Sequence, residues 1–254
     1  MFNWIGLYTF IRRETERTFR VAVQTLITPW ISALLYIFIF GYIVGKRIDS
    51  IAGVSYIDFV LPGILMMSVI SSAFAHSSSS LYFARFIRNI EEILVAPLSH
   101  LEMIIGFMTG AIIRGVIVGV GVFCIAVFFS AANVAHFPLF LFYLIGVSTV
   151  FSLLGILVGL WANGFEQLNV LNTFVIMPFS FLGGVFYSVT MLPEKFQFIA
   201  HINPFFYFID GIRYSMIGIR ESNHIAGYVL ILGLILLLSS LVGYLFKKGW
   251  RLRE

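Results

Sequence analysis

Apolar residues fall in six long runs separated by short polar breaks, at about Val21–Val44, Phe59–Phe83, Met103–Phe129, Phe137–Trp161, Leu168–Phe186 and Ile225–Phe246. A helix needs about 20 apolar residues to cross a hydrocarbon core. The pattern therefore predicts an all-α membrane protein with six transmembrane helices. Pro29 sits in the first run, and Pro178 with Gly183 and Gly184 interrupts the fifth. Prolines are tolerated at membrane depth where neighbours re-satisfy the freed backbone groups.

Three stretches carry a different pattern. Over residues 1–20, Trp4, Leu7, Tyr8 and Ile11 recur at helical spacing against Arg12, Arg13, Glu14, Glu16, Arg17 and Arg20. This predicts an amphipathic helix lying along the membrane surface. Over residues 84–100, Arg85 and Arg88 precede Glu91 and Glu92. Phe86, Ile87, Ile90, Ile93 and Leu94 lie among them, and Pro97 stops the helix. The third stretch, 187–223, is rich in aromatics yet holds Pro193, Glu194, Lys195, Pro204, Asp210, Arg213 and Arg220. It is too interrupted for one crossing and too apolar for a solvated loop, so a pair of short re-entrant helices fits. Irregular backbone at that depth has to be buried in protein. Asp210 and Arg213 are expected near the outer headgroup level on one face of a short helix after Pro204, where their i, i+3 spacing permits a pair. All three belong to one domain over 1–254.

Composition agrees: 60% of residues are hydrophobic and 11% charged, against roughly 25% charged in soluble domains. No gap has room for a soluble catalytic or nucleotide-binding domain of about 100 residues. The net charge of +4 does not point to nucleic acid, because the basic residues flank the apolar runs and form no groove. With the N-terminus inside, Arg12, Arg13, Arg17, Arg20, Arg85, Arg88, Lys247, Lys248, Arg251 and Arg253 face the cytoplasm. Lys46, Arg47, Lys195, Arg213 and Arg220 face outward. The excess predicts that both termini are cytoplasmic. Arg12-Arg13 is followed by Glu14 and Glu16 and by no small-residue cleavage site, so the first run is expected to be retained. The single Cys124 excludes an internal disulfide and any cysteine-based metal site.

Arg114 is the one charge well inside a run. Such a charge costs at least about 2.5–3.5 kcal/mol in lipid. It attracts an anionic group in a pathway, pairs with a neighbouring helix, or is brought near the interface by tilt of its helix. Ser68, Ser71, Ser72, His76 and Ser79 make one side of the second run polar, as Asn169, Asn172, Thr173 and Ser180 do in the fifth. Such stripes line a route or join helices, at about 0.6 kcal/mol per hydrogen bond. Arg114, Ser72, His76, Asn169 and Asn172 are the candidate pathway residues. Gly106/Gly110, Gly115/Gly119 and Gly155/Gly159 have the Gly-x-x-x-Gly spacing of close helix packing, within the chain or between copies.

Catalysis is not supported. His76 beside Ser77–Ser80 has no acid to complete a triad, and the five histidines are scattered. Gly45-Lys46-Arg47 lacks the glycine spacing of a phosphate-binding loop, so ATP would have to be bound by another polypeptide.

The order of these features resembles a known family. The N-terminal amphipathic helix is followed by Arg-Asn-Ile-Glu-Glu-Ile-Leu-Val-Ala-Pro at 88–97. Gly-Gly-Val-Phe-Tyr-Ser comes at 183–188, with Leu192-Pro193 after it, and then Asn203-Pro204 with Tyr207, Gly211, Arg213 and Tyr214. Along the whole chain this is similar to the ABC-2 type transporter permeases, nearest to the YadH-type inner-membrane permeases of Gram-negative bacteria. The resemblance implies a multi-pass subunit of the bacterial inner membrane that acts as a dimer with a second copy of itself among membrane lipids. Each copy docks one cytoplasmic ATP-binding-cassette ATPase, two in all, which hold ATP and Mg; this chain holds no cofactor. The segment at 84–100 takes the role of coupling helix through Arg88, Asn89, Glu91 and Glu92, flanked by Arg12, Arg13 and Arg17. Glu166 in the short loop after the fourth run is a lesser contact. Pro193, Pro204, Phe205, Tyr207, Asp210 and Arg213 form an outer gate. The expected function is outward movement of an amphipathic or lipid-linked substrate, whether lipid, glycolipid or polysaccharide. The alternatives are efflux of drugs or small hydrophobic molecules by the same fold and, further off, a non-transport intramembrane enzyme or scaffold.

Overall fold

The computed structural model describes residues 2–48, 50–129 and 133–252. Arg253 of the basic tail, and the start of the turn after the third run, lie outside the described residues.

Helix α1 (Trp4–Arg20) begins at Asn3, whose Oδ1 accepts the Gly6 N–H at 2.9 Å. Its buried stripe is Leu7, Phe10, Glu14 and Thr18, while Trp4, Ile5 and Tyr8 stay exposed. The expected apolar face at 4, 7, 8 and 11 is thus divided, because Leu7 and Phe10 turn inward onto a neighbouring helix. The first apolar run is continuously helical. A π turn (Val23–Ile27) leads into α2 (Thr28–Tyr36) and a second π stretch (Ile37–Val44). Pro29 occupies the first turn of α2, where the widened helix tolerates a missing N–H. A small hairpin follows, β1 (Ser50–Ile51) with β2 (Val54–Ser55), paired Ser50 to Ser55 and Ile51 to Val54. Ala52 and Gly53 turn it with positive φ of 51° and 83°, as a two-residue turn matched to strand twist requires.

The centre of the molecule is α3 (Tyr56–Phe86). It is buried nearly all round, its polar side included: Ser72 and His76 are buried with the apolar residues. Helix α4 (Asn89–Val95) is short and leads to α5 (His100–Phe129) and α6 (Phe137–Trp161). Both long helices pack closely on α3, and glycine sets how closely. A Cβ on Gly155 would lie 2.0 Å from Ser77 Oγ and 2.6 Å from the Phe74 carbonyl oxygen, and one on Gly119 would lie 2.8 Å from Val69 Cγ2. A Cβ on Gly106 would lie 2.1 Å from the Phe10 ring. The three glycine pairs are therefore filled by contacts within the chain.

The fifth run is broken into α7 (Phe165–Leu171), a π turn (Asn172–Ile176) and α8 (Met177–Leu182). Among the described residues, five helical stretches are long and apolar enough to cross a bilayer: Val23–Val44, Tyr56–Phe86, His100–Phe129, Phe137–Trp161 and Ile225–Lys248. The helical stretch 165–182 does not reach that measure. Glu166, Gln167, Asn169 and Asn172 dilute its first half, and Gly183 and Gly184 end it early. A 3₁₀ turn (Val189–Met191) then leads to α9 (Glu194–Ile202), α10 (Pro204–Ile217) and α11 (His224–Lys248). Asn203 caps α10 by accepting the Phe205 N–H at 3.0 Å, and donates to the Phe179 carbonyl at 2.6 Å. Helix α10 is mostly buried, whereas α9 exposes Phe196, Phe198, Ile199 and Ile202.

Candidate functional site

Three polar constellations follow from this packing. The first surrounds a cavity of about 590 Å³ between α1, the first π turn, α3, α5 and α7. Arg17, Gln24, His76, Arg114, Asn169 and Asn172 supply its polar lining; Phe74, Phe83, Phe165 and Leu168 supply apolar wall. Four of the five candidate pathway residues therefore meet at one place. Ser72 is buried on α3 and is not among the lining residues. Arg17, expected beside a docking partner, lines the cavity and donates to Ser79 Oγ at 3.1 Å.

Behind the cavity lies Glu14, only 2% exposed. It accepts the Ser80 hydroxyl, stands 3.6 Å from His76 Nε2 and 3.6 Å from Arg13. The Thr18 hydroxyl lies 3.4 Å from His76 Nδ1. Gly110 leaves the room for this, since a Cβ there would sit 2.8 Å from Glu14 Cβ and 2.9 Å from His76 Nε2. Burial raises the Glu14 carboxyl's affinity for a proton, but His76, Arg17 and Ser80 together outweigh it and hold the group below its ordinary range. Glu14, Thr18 and Gln24 were not singled out from the sequence. A signal for Glu14 existed: it falls in helical register with Leu7, Phe10 and Thr18 on the buried stripe, where a carboxylate needs a partner. Arg114 Nε, His76 Nε2 and Asn172 Oδ1 are buried without a hydrogen-bond partner.

The second constellation is a surface. Arg88 adopts a left-handed φ of 58°, breaking the chain direction between α3 and α4. Ile90 and Ile93 of α4 are buried, so Glu91 and Glu92 point outward and are exposed. Helix α1 runs alongside: Asn3, Phe10, Arg13, Glu92, Ile93 and Pro97 line one groove. Arg12 is exposed and pairs with Glu16 at 2.8 Å, and Asn89 is half-buried beside Arg13 and Arg17. Glu166 is exposed in the first turn of α7, where Phe165 packs its ring 5.2 Å from Phe86 at the end of α3. Arg88, Asn89, Glu91, Glu92, Arg12, Arg13 and Glu166 are thus gathered at one end of the bundle. Arg85 closes the neighbouring helix by donating to the Gly159 and Leu160 carbonyls at 2.9 and 2.8 Å.

The third constellation is on α10. Asp210 and Arg213 do not form an exposed pair: both are fully buried and turned to different partners. Asp210 accepts the Glu221 and Ser222 N–H groups, each at 2.9 Å, and the Ser222 hydroxyl, with Arg220 Nε at 3.8 Å. Arg213 donates to the Phe59 carbonyl at 3.2 Å and the Gly184 carbonyl at 2.6 Å, and stacks 3.9 Å above the Phe59 ring. Partners from α3 and from the 183–188 turn explain the difference, because spacing along α10 alone does not reveal them. Pro193 precedes α9 and Pro204 opens α10. Phe205 is buried with its ring 5.3 Å from that of Phe151, and Tyr207 donates to the His201 carbonyl at 2.9 Å.

Residues 6–217 match the ABC-2 type transporter family. The chain is similar to the inner membrane transport permease YadH of Escherichia coli K12, 38% identical over 251 residues, 99% of this chain and 98% of that protein. It is also similar to nodulation protein J of Rhizobium meliloti, 27% identical over 217 residues, covering 85% of this chain and 82% of that protein. Nodulation protein J of Rhizobium leguminosarum bv. viciae is 27% identical over 229 residues, 87% of this chain and 85% of that protein.

Proposed function

This chain belongs to the ABC-2 type transporter family, and from that premise we propose that it is the membrane subunit of an exporter driven by a separate ATP-binding-cassette ATPase. It is a multi-pass inner-membrane transport permease. In the proposed assembly two copies form the pathway and each docks one ATPase, which holds the ATP and Mg. The helical stretch 165–182, continued to Phe186, completes a sixth crossing, its amides facing protein or cargo instead of lipid. Both termini and α4 are cytoplasmic. Residues 187–223 cap the outer side, and the exposed Trp4, Ile5 and Tyr8 of α1 rest on the bilayer.

The observation that carries this reading is α4. It is a helix of seven residues between two spans, anchored by Ile90 and Ile93 and presenting Glu91 and Glu92 to whatever docks. Reversing both glutamates to lysine is expected to abolish capture of the proposed ATPase partner, and transport with it, while membrane insertion is kept. Normal capture and normal transport in the reversed variant would overturn the assignment. Orientation is tested by cysteine labelling in a Cys124→Ser background: Ser50→Cys is expected to react with an impermeant reagent outside intact cells and Ser99→Cys to stay unlabelled. Both positions are exposed. Ser222 is no neutral reporter, because its hydroxyl binds Asp210.

The cargo is an amphipathic or lipid-linked molecule. A cavity walled by phenylalanines on one part and by arginines and amides on another supports that class. It disfavours the efflux of hydrophobic cations, since two arginines and no carboxylate line it.

A further inference from the structure

The cavity also carries a statement about charge. Its lining includes Arg17 and Arg114 and no acidic residue. The nearby carboxylate, Glu14, is engaged by Ser80, His76 and Arg13 and is also felt by Arg17 as a counter-charge, which leaves Arg114 as the arginine without one. Arg114 has no carboxylate within ion-pair distance among the described residues, and its Nε is buried without a hydrogen-bond partner. Two guanidiniums that share a cavity repel each other until an anion lies between them. A desolvated arginine at that depth needs a counter-charge.

We propose that this cavity binds the phosphate-type anion of an amphiphile, seated between Arg17 and Arg114. The inference rests on the exporter reading and narrows its cargo. Guanidinium forks match phosphate oxygens two at a time, which a lysine does not. Gln24, Asn169 and Asn172 supply amides around the same space. Phe74, Phe83 and Phe165 form the wall along which the hydrocarbon part lies. The volume of about 590 Å³ is that of a small-molecule site, within roughly 300–1,000 Å³. It admits a headgroup and the first methylenes. Of the roles expected from the sequence, pathway charge, helix partner or a charge tilted towards the interface, the proposal takes the first, because Arg114 lines the cavity and no carboxylate among the described residues answers it.

The test uses the full chain in maltoside micelles, with dissociation constants measured for three probes: dioctanoyl phosphatidic acid, inorganic phosphate and dioctanoyl glycerol. Phosphatidic acid is expected to bind at least about tenfold more tightly than the uncharged glycerol lipid, the scale of one or more charge-assisted hydrogen bonds. Arg114→Gln and Arg17→Gln are each expected to weaken phosphatidic acid by about tenfold, with Arg114→Lys intermediate. Weak binding of inorganic phosphate assigns the anion to an amphiphile. Inorganic phosphate binding as tightly as phosphatidic acid overturns the amphiphile and leaves a free-phosphate site. Equal binding of the charged and uncharged lipids, or unchanged binding in Arg114→Gln, overturns the site altogether. Size-exclusion profiles report folding, and Arg114→Lys and Arg17→Gln carry the comparison if Arg114→Gln does not fold. ATPase capture is scored separately on the same samples. Loss of anion discrimination with capture intact strikes this inference alone, whereas discrimination without capture strikes the exporter reading.

Discussion

Two clusters of buried charge sit in this molecule, and they are finished differently. On α10, Asp210 and Arg213 are closed: one accepts two backbone N–H groups and a hydroxyl, the other donates to two carbonyls and lies on an aromatic ring. No side-chain polar atom of either is left buried without a partner, although Oε1 of the neighbouring Glu221 has none among the described residues. Beside the cavity, Arg114 Nε and Asn172 Oδ1 have no hydrogen-bond partner among the described residues, and two arginines face the same space. A closed cluster fixes chain geometry, here tying α10 to α3 and to the turn at Gly184. An open one keeps capacity for something that arrives. Charge inside a membrane protein is therefore read by what answers it, not by its presence.

The comparison breaks most visibly if the closed cluster can be emptied without harm. Asp210→Ala strands the Glu221 and Ser222 N–H groups and removes the carboxylate 3.8 Å from Arg220 Nε. Removing one partner of a buried charge network costs about 3–5 kcal/mol. The variant is expected to unfold at markedly lower temperature in detergent and to accumulate poorly in membranes. Near wild-type unfolding would mean that the cluster fixes nothing.

A smaller effect is expected at the seam under the open cluster. Gly110→Ala sets a methyl 2.8 Å from Glu14 Cβ and 2.9 Å from His76 Nε2, so α1 and α5 have to part. Overpacking of this kind costs about 1–3 kcal/mol. The same unfolding measurement reads it, and a loss as large as that of Asp210→Ala would show that the open cluster is as structural as the closed one.

Arg114→Gln sharpens the contrast further. It strands no ion-pair partner among the described residues, so its stability is expected to stay within about 1 kcal/mol of wild type, in the range of substitutions away from satisfied networks. Destabilisation equal to that of Asp210→Ala would move Arg114 into the structural class.

The physical reason for what could and could not be read from the sequence is visible in the same clusters. Hydrophobic runs located the helices at Val23–Val44, His100–Phe129, Phe137–Trp161 and Ile225–Lys248 closely, because in lipid a run length is a helix length. The end of α3 came out longer, since Tyr56 at one end and Arg85 at the other are polar enough to look like loop and still belong to the helix. The short helices α4, α9 and α10 were legible from Pro97, Pro193 and Pro204, which punctuate them. Convergence of His76 with Arg114, Asn169 and Asn172 was legible only as separate polar stripes, because nothing in a single sequence says which helices adjoin. The partners of Asp210 and Arg213 were not legible at all: Phe59 and Gly184 lie 154 and 29 residues from Arg213. Glu14 was readable in principle from its place on the buried stripe and was obscured by the charged residues on either side of it.

The smallest expected effect concerns that residue. Its carboxyl is held below the ordinary glutamate value of 4.5, burial being outweighed by His76, Arg17 and Ser80. At pH values just under that ordinary value the unfolded chain therefore binds a proton at Glu14 that the folded chain does not, so stability from this group rises with pH there. Its contribution is complete above the ordinary range, falls away as pH drops through the depressed folded value, and is gone below it. Glu14→Gln removes the titrating group while keeping an amide of the same size beside His76 and Ser80. Thermal unfolding in detergent from neutral to acid pH is expected to show a steeper acid-side loss for wild type than for Glu14→Gln, the curves converging at the acid end apart from a constant offset. The charge of Glu14 would then belong with the closed class, satisfied and structural, in the same neighbourhood as Arg114, which has no ion-pair partner among the described residues. Parallel curves across the whole range would show that Glu14 carries no ionised role in the fold, and the line drawn between the two clusters would have to be moved.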